Sequence, residues 1–342
     1  MSTPTRHPVD WVNPLIDTAN RRFFFFSSAC RPFGLVNLSP DTVQGGAWEA
    51  GYRYTEETVC WFSHIHAWQL SALPILPTTG PFQGHLGVDH YKSAFSHDQE
   101  IVRPGYHALT LSDYNIRAEL TATDRVGFHR YTFRESETSH ILFDLTAEIG
   151  PSLISDCMIE QVNDTELVGF VENDATRRRP KPTRIYFTIV FDRPVEAFGG
   201  WQNSQVQENI NGICGPNTGA FVRFKTVSDD AVQMKVALSY CNVEGARLNL
   251  QTELPHWDFD RVKEEARDVW NQWLSRIEVE GGTEARTTKF YTDLYHAILG
   301  RRRVSDVDGK YCAQTGPEPV VRQIPLDTDG RPQYEYHNSD AF

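Results

Sequence analysis

Between Asp41 and His66 the chain concentrates side chains able to bind or transform a polar ligand: Asp41, Trp48, Glu49, Tyr52, His64 and His66. Trp48 beside Glu49 joins a flat apolar face, suited to stacking on the C–H face of a sugar, to an acceptor for its hydroxyls. Gly45 and Gly46 just before them let the backbone come close to a ligand. The plainer reading of Trp48 and Tyr52 is core filling beneath a loop, and composition alone leans towards it. His64-Ile65-His66 separates two imidazoles by one residue, so on a strand both would point to the same face. Such a pair ligates zinc only where a carboxylate or third imidazole converges on it. His85, Asp89, His90 and His97 are close in sequence, but the motif is short. A polar pair bonded to a ligand or a neighbouring loop is the stronger reading.

Other chemistries find little support. There is no G-x-S-x-G elbow, no cysteine in a protease context and no phosphate-cradling glycine loop. Asp144, Asp192 and Asp306 read equally as solvated or capping residues and as acids or bases. The cysteines at 30, 60, 157, 214, 241 and 312 include no C-x-x-C pair and read as mostly buried thiols, compatible with a reducing compartment. The net charge of −12 and 12 % aromatic content disfavour nucleic acid and suit neutral polyols. The basic runs Arg177–Lys181 and Arg301–Arg303 are expected to be solvated surface. No run approaches the roughly 18 apolar residues of a membrane helix, and residues 1–6 lack the apolar core of a signal peptide. That makes the cytoplasm the default location. The sequons at Asn37 and Asn163 read as chance matches.

The elements that must position these residues are mostly strands. Arg117–Ala122, Gly127–Phe133, His140–Leu145, Arg184–Phe191 and Val232–Tyr240 are short, β-branched, aromatic runs bounded by turn formers. No helical pattern separates them, so the fold class is mostly β, an antiparallel β-sandwich. The first hundred residues mix Pro, Gly, His and aromatics with little periodicity, as in Leu73–Pro81, and read as ordered loops over the sheet. From Phe259 to Ile277 apolar residues recur at helical spacing behind Asp258 as N-cap. A second helix carries Phe290, Tyr291, Leu294, Tyr295 and Ile298 on one face, with Arg301–Arg303 closing its last turn. The domains expected are 1–250, a sandwich; 251–282, a helical linker; and 283–342, the start of a further helical domain.

Val12-Asn13-Pro14-Leu15-Ile16, Arg31–Thr42, Gly51-Tyr52-Arg53-Tyr54 and Trp61–His66 together resemble the opening of family 92 α-mannosidases. Arg103–Tyr106, Ala118–Thr123, Arg125–Tyr131, Val279–Glu284 and Phe290–Ala297 continue the resemblance in order along the chain. It implies a galactose-mutarotase-like supersandwich, a helical linker and the first helix of an incomplete (α/α)6 barrel. It also implies calcium-assisted, inverting removal of terminal α-linked mannose, with α-1,2 bonds of N-glycans or mannan as the expected target. The catalytic acid, base and calcium ligands would lie beyond position 342. By motif the sugar-binding residues would be Trp48, Glu49, Tyr52, His64 and His66, supported by Asp41. The expected partners are an α-mannoside glycan and the C-terminal barrel domain, with no nucleic acid and no membrane. The family is often exported. Trp68, where many members carry small residues, would reshape the subsite. Two other readings stand beside this one: a stand-alone, weakly binding carbohydrate module, and a metal hydrolase using His64 and His66.

Overall fold

The computed structural model describes residues 6–19, 28–44, 51–67, 70–147, 153–177, 179–316 and 318–339. Two antiparallel sheets form the sandwich. One has seven strands in the order Ser39–Asp41, Trp61–Ser63, Ile75–Thr79, Ser136–Asp144, Thr218–Thr226, Ala197–Gln202 and Gln205–Glu208. The other has nine: Gly212–Cys214, Ile154–Asn163, Glu166–Asn173, Thr183–Phe191, Asp230–Ser239, Val126–Phe133, Ile116–Ala122, Tyr106–Leu111 and Ile101–Arg103. All five runs read from the sequence as strands are strands.

Alternation along the strands decides what faces what. In Val126–Phe133, Tyr131 and Phe133 enter the core between the sheets, where they meet Phe62, Phe143 and Met234. Val126 and Phe128 point the other way, into a second cluster beneath the helices. That outer face is covered by a helix the sequence pattern did not reveal. With α1 assigned to the single turn Val88–Tyr91, the covering helix is α2, Val243–Glu253, whose Ala246 and Leu250 pack against Ala237. Its apolar face is narrow, so periodicity gave little signal.

The next helix, α3 (Phe259–Leu274), is capped by Asp258, whose side chain accepts from the Arg261 amide. It ends three residues earlier than its apolar pattern suggests, leaving Ile277 exposed. Trp270 is fully buried, donates its indole N–H to the Cys30 carbonyl at 2.7 Å and packs on Tyr295 of α4 (Glu284–Leu299).

Two expectations need correction. The first hundred residues are not only loops, since three of their short segments join the seven-stranded sheet. Pro77 sits within Ile75–Thr79, paired with Ile141 on one side. On the other side the neighbouring strand touches only at Phe62–Ile75, so the missing proline N–H costs no ladder bond. Second, Arg301–Arg303 do not close α4. They form a strand paired with His337–Ser339, and Arg302 and Arg303 are buried rather than solvated. Arg303 meets Asp124 at 2.8 Å and Glu335 at 2.6 Å, and these carboxylates are what make its burial tolerable. In the other basic run, Arg179 is half-buried and donates to Lys181 O and Thr183 Oγ1.

Candidate functional site

The strand pair Ser39–Asp41 and Trp61–Ser63 sets Asp41 opposite Trp61 and Ser39 opposite Ser63. Asp41, Ser63 and His66 are all buried and share one network. The Ser63 hydroxyl donates to Asp41 Oδ2 at 2.5 Å, and His66 Nε2 meets Asp41 Oδ1 at 2.9 Å. His66 Nδ1 faces the Asn37 carbonyl at 2.6 Å, and since a carbonyl only accepts, Nδ1 carries a proton. This is not a nucleophile triad. Serine and aspartate both approach the same ring nitrogen, and the serine proton is directed at Asp41 rather than at the imidazole, so the relay of a triad is not formed. From the far end of the chain, Arg302 donates to the backbone carbonyl of His66.

His64 does not join its neighbour. The strand breaks at His64 and resumes at Ile65, so the alternation expected for H-x-H fails and the two rings go to different partners. His64 Nε2 lies 2.8 Å from His129 Nε2, its Nδ1 faces the Leu73 carbonyl at 3.2 Å, and His129 Nδ1 meets the Tyr131 hydroxyl at 2.7 Å. One assignment satisfies every atom with both rings neutral. Tyr131 donates to His129, His129 to His64, and His64 to Leu73. Burial agrees with it, pushing His64 down to about 3 and His129 well below the usual histidine range. Gly127 makes room for this: a Cβ there would stand 2.8 Å from the His64 ring.

Tyr52 belongs to a third network. Glu100, with its side chain nearly buried, accepts from the Tyr52 hydroxyl at 2.9 Å, from His107 Nε2 at 2.9 Å and from His97 Nδ1 at 2.6 Å. His107 Nδ1 in turn meets Ser28 Oγ at 2.7 Å. Burial pushes the Glu100 carboxyl up, but hydrogen bonds from His107, His97 and Tyr52 outweigh it and hold the group below its ordinary value. Burial, then the adjoining Glu100 charge, push the Tyr52 phenol far up.

Trp48, Glu49 and Trp68 lie outside the described residues. What the structure does give is the base of the segment bearing the first two. Val43 and Gly51 exchange both backbone hydrogen bonds at 3.0 Å, with Gly51 at φ +104° directly beside Asp41. The four described residues picked from sequence thus divide into three buried networks, of which only Asp41 and His66 share one. Ser63, Glu100, His107, His129 and Arg302 escaped notice. The first four sit in ordinary alternating or turn contexts, and only tertiary contacts reveal their roles.

Among the described residues no group of three or more His, Cys, Asp or Glu side chains could hold a metal ion.

The antiparallel sandwich with helices packed on its outer face is shared with solved glycosidases. The family GH92 α-mannosidase BT3965 from Bacteroides thetaiotaomicron superposes with a TM-score of 0.84 at 25 % identity, over 95 % of this chain and 45 % of that one. Its complex with mannoimidazole gives 0.83 at 25 % identity, over 94 % of this chain and 43 % of that one. The inverting GH92 mannosidase BT2199 of the same organism shares the fold, with a TM-score of 0.81 at 23 % identity over 96 % of this chain and 44 % of that one. An "uncharacterized secreted glycosidase" of Arthroderma benhamiae is 26 % identical, over 84 % of this chain and 41 % of its own length. The pattern of the glycosyl hydrolase family 92 N-terminal domain matches residues 11–239, and that of the family 92 catalytic domain matches residues 245–338. The chain belongs to glycosyl hydrolase family 92. It spans less than half the length of these relatives.

Proposed function

We propose that this chain forms the sugar-binding front part of an exo-acting α-mannosidase, which removes terminal α-1,2-linked mannose from N-glycans or mannan with inversion. The observation that carries the reading is the end-to-end likeness to an α-mannosidase, at 25 % identity over 95 % of the chain. In this reading the segment bearing Trp48 and Glu49 contacts the sugar, and Asp41, His66 and Tyr52 hold that segment's flanks from below. Their side-chain polar groups already have protein partners, which supports a positioning role over direct contact. The catalytic acid and base, and the ligands of an assisting calcium ion, belong to residues outside those described. Inversion asks for two carboxyl groups roughly 6.5–9.5 Å apart with a water between one of them and the sugar.

The test is mannose release from an α-1,2-mannobiose. The chain joined to a complete family 92 catalytic domain is expected to turn over and to lose activity to a calcium chelator. The 342-residue chain alone is expected to fall short by at least the roughly 10²–10⁴-fold that an acid or base supplies. Chelator-sensitive turnover by the chain alone would sink the division of labour. No mannose release by the complete protein would sink the substrate assignment.

A further inference from the structure

A cleft of about 450 Å³ opens on the seven-stranded sheet, and none of Asp41, Tyr52, His64 or His66 lines it. Its wall includes Gln44, Trp61, Leu86, Val88, Asp144 and Thr146. The volume is within the range of small-molecule sites. Two of its polar groups are incompletely engaged. The Trp61 indole N–H is buried without an acceptor among the described residues, a state that ordinarily costs stability. Asp144 accepts a 2.6 Å bond from the Tyr91 hydroxyl at Oδ2, whereas Oδ1 has long contacts to Thr146, 3.3 Å to the hydroxyl and 3.4 Å to the amide, and the Ala147 amide also faces the carboxyl. Oδ1 therefore keeps acceptor capacity.

Charge and hydrogen-bonding type narrow the ligand. An anion would meet the carboxylates of Asp144 and of the exposed Asp89, which pairs with Lys92. An ammonium group would leave the indole N–H unanswered. A hydroxyl both accepts and donates, so a polyhydroxylated ligand can answer the Trp61 donor and the Asp144 acceptor alike. Leu86, 49 % exposed, with Val88 and Ala147, offers an apolar wall for C–H groups. We propose that this cleft is a second carbohydrate subsite, taking one neutral hexose unit, with Trp61 as donor, Asp144 as acceptor and Leu86 against the ring. The inference rests on the cleft's own residues and does not require the mannosidase reading.

Titration of the isotope-labelled chain with methyl α-mannoside, followed by the tryptophan indole N–H resonances, tests it. Saturable movement of the Trp61 signal at millimolar sugar is expected, weakened at least fivefold in Asp144→Asn. Leu86→Arg, an exposed change that fills the cleft without touching the core, is expected to abolish the movement while leaving the rest of the spectrum in place. A Trp61 signal that stays still overturns the proposal, as does movement that survives Leu86→Arg. Glycerol saturating at the same concentration as the mannoside would overturn the assignment to a hexose. Mannosidase activity enters none of these outcomes, so loss of that reading would leave this test intact.

Discussion

At the scale of single residues, the informative fact is how completely the conspicuous polar side chains are paired. Asp41 is the sole side-chain anion on His66 and Ser63, both buried. Asp41→Ala should leave the Ser63 hydroxyl and His66 Nε2 only their 3.1 Å contact with each other, at a cost of about 1–3 kcal/mol. Urea unfolding measures this, and a loss below 0.5 kcal/mol would contradict the network. His64 and His129 give a signed pH dependence. Unfolded, each takes up a proton near pH 6.5, whereas folded His64 stays neutral down to about 3 and His129 is likewise depressed. The unfolded state binds more protons below pH 6.5, so stability is fully present above that pH and falls as acid is added. The slope is about 1.4 kcal/mol per pH unit per histidine at most. Unfolding at pH 7.0, 6.0 and 5.0 should show the decline, and a His64→Gln, His129→Gln double variant should flatten it. An unchanged slope in that variant would place the acid sensitivity elsewhere.

At the scale of elements, helix packing is concentrated in few side chains. Trp270 joins α3 to the Cys30 carbonyl and to Tyr295 of α4, within a cluster that also holds Val9 and Leu274. Trp270→Ala is expected to cost about 3–5 kcal/mol, as large buried aromatics do. Calorimetry would register it as a lower melting temperature, and a shift of under two degrees would mean that α3 is held by other contacts. Gly127→Ala tests a backbone approach instead. The added Cβ would stand 2.8 Å from the His64 ring, a fully buried group with nowhere to retreat. Destabilisation of about 1–3 kcal/mol is expected from such overpacking. Rescue by adding His64→Ala would tie the effect to this contact.

At the scale of the whole molecule, the sandwich and the residues that follow it are joined by buried ion pairs rather than by apolar surface alone. Glu253 at the end of α2 accepts from Arg125 Nη1 at 2.6 Å, from the Arg125 amide at 2.8 Å and from Thr123 Oγ1 at 2.6 Å. Arg303 reaches back to Asp124 in the same turn. The turn Thr123–Arg125 is thus the common anchor of α2 and of the strand Arg301–Arg303. Removing one member of such a set leaves the other charge buried and uncompensated, so Glu253→Ala should cost about 3–5 kcal/mol. Limited proteolysis should then cut first after residue 253, and cleavage spread evenly over the sandwich would contradict the anchor.

The sequence by itself determined the class of fold and the membership of the family. Alternating β-branched runs such as Gly127–Phe133 and Arg184–Phe191 have one stable use, and Asp258 followed by a 3.6-residue apolar period has another. Ordered motifs along the whole chain then singled out family 92. Both signals are local, or are sums of local signals, and survive without coordinates. Tertiary structure alone decided which polar residues work together. His64 and His66 look like a pair one residue apart, but a break in the strand sends one to His129 and the other to Asp41, 65 and 25 positions away. The Arg301–Arg303 run looks like a solvated helix end, but Asp124 and Glu335 draw it inside. Hydrogen bonds and ion pairs are satisfied by whichever group the folded chain brings within about 3 Å, and sequence spacing does not encode that distance.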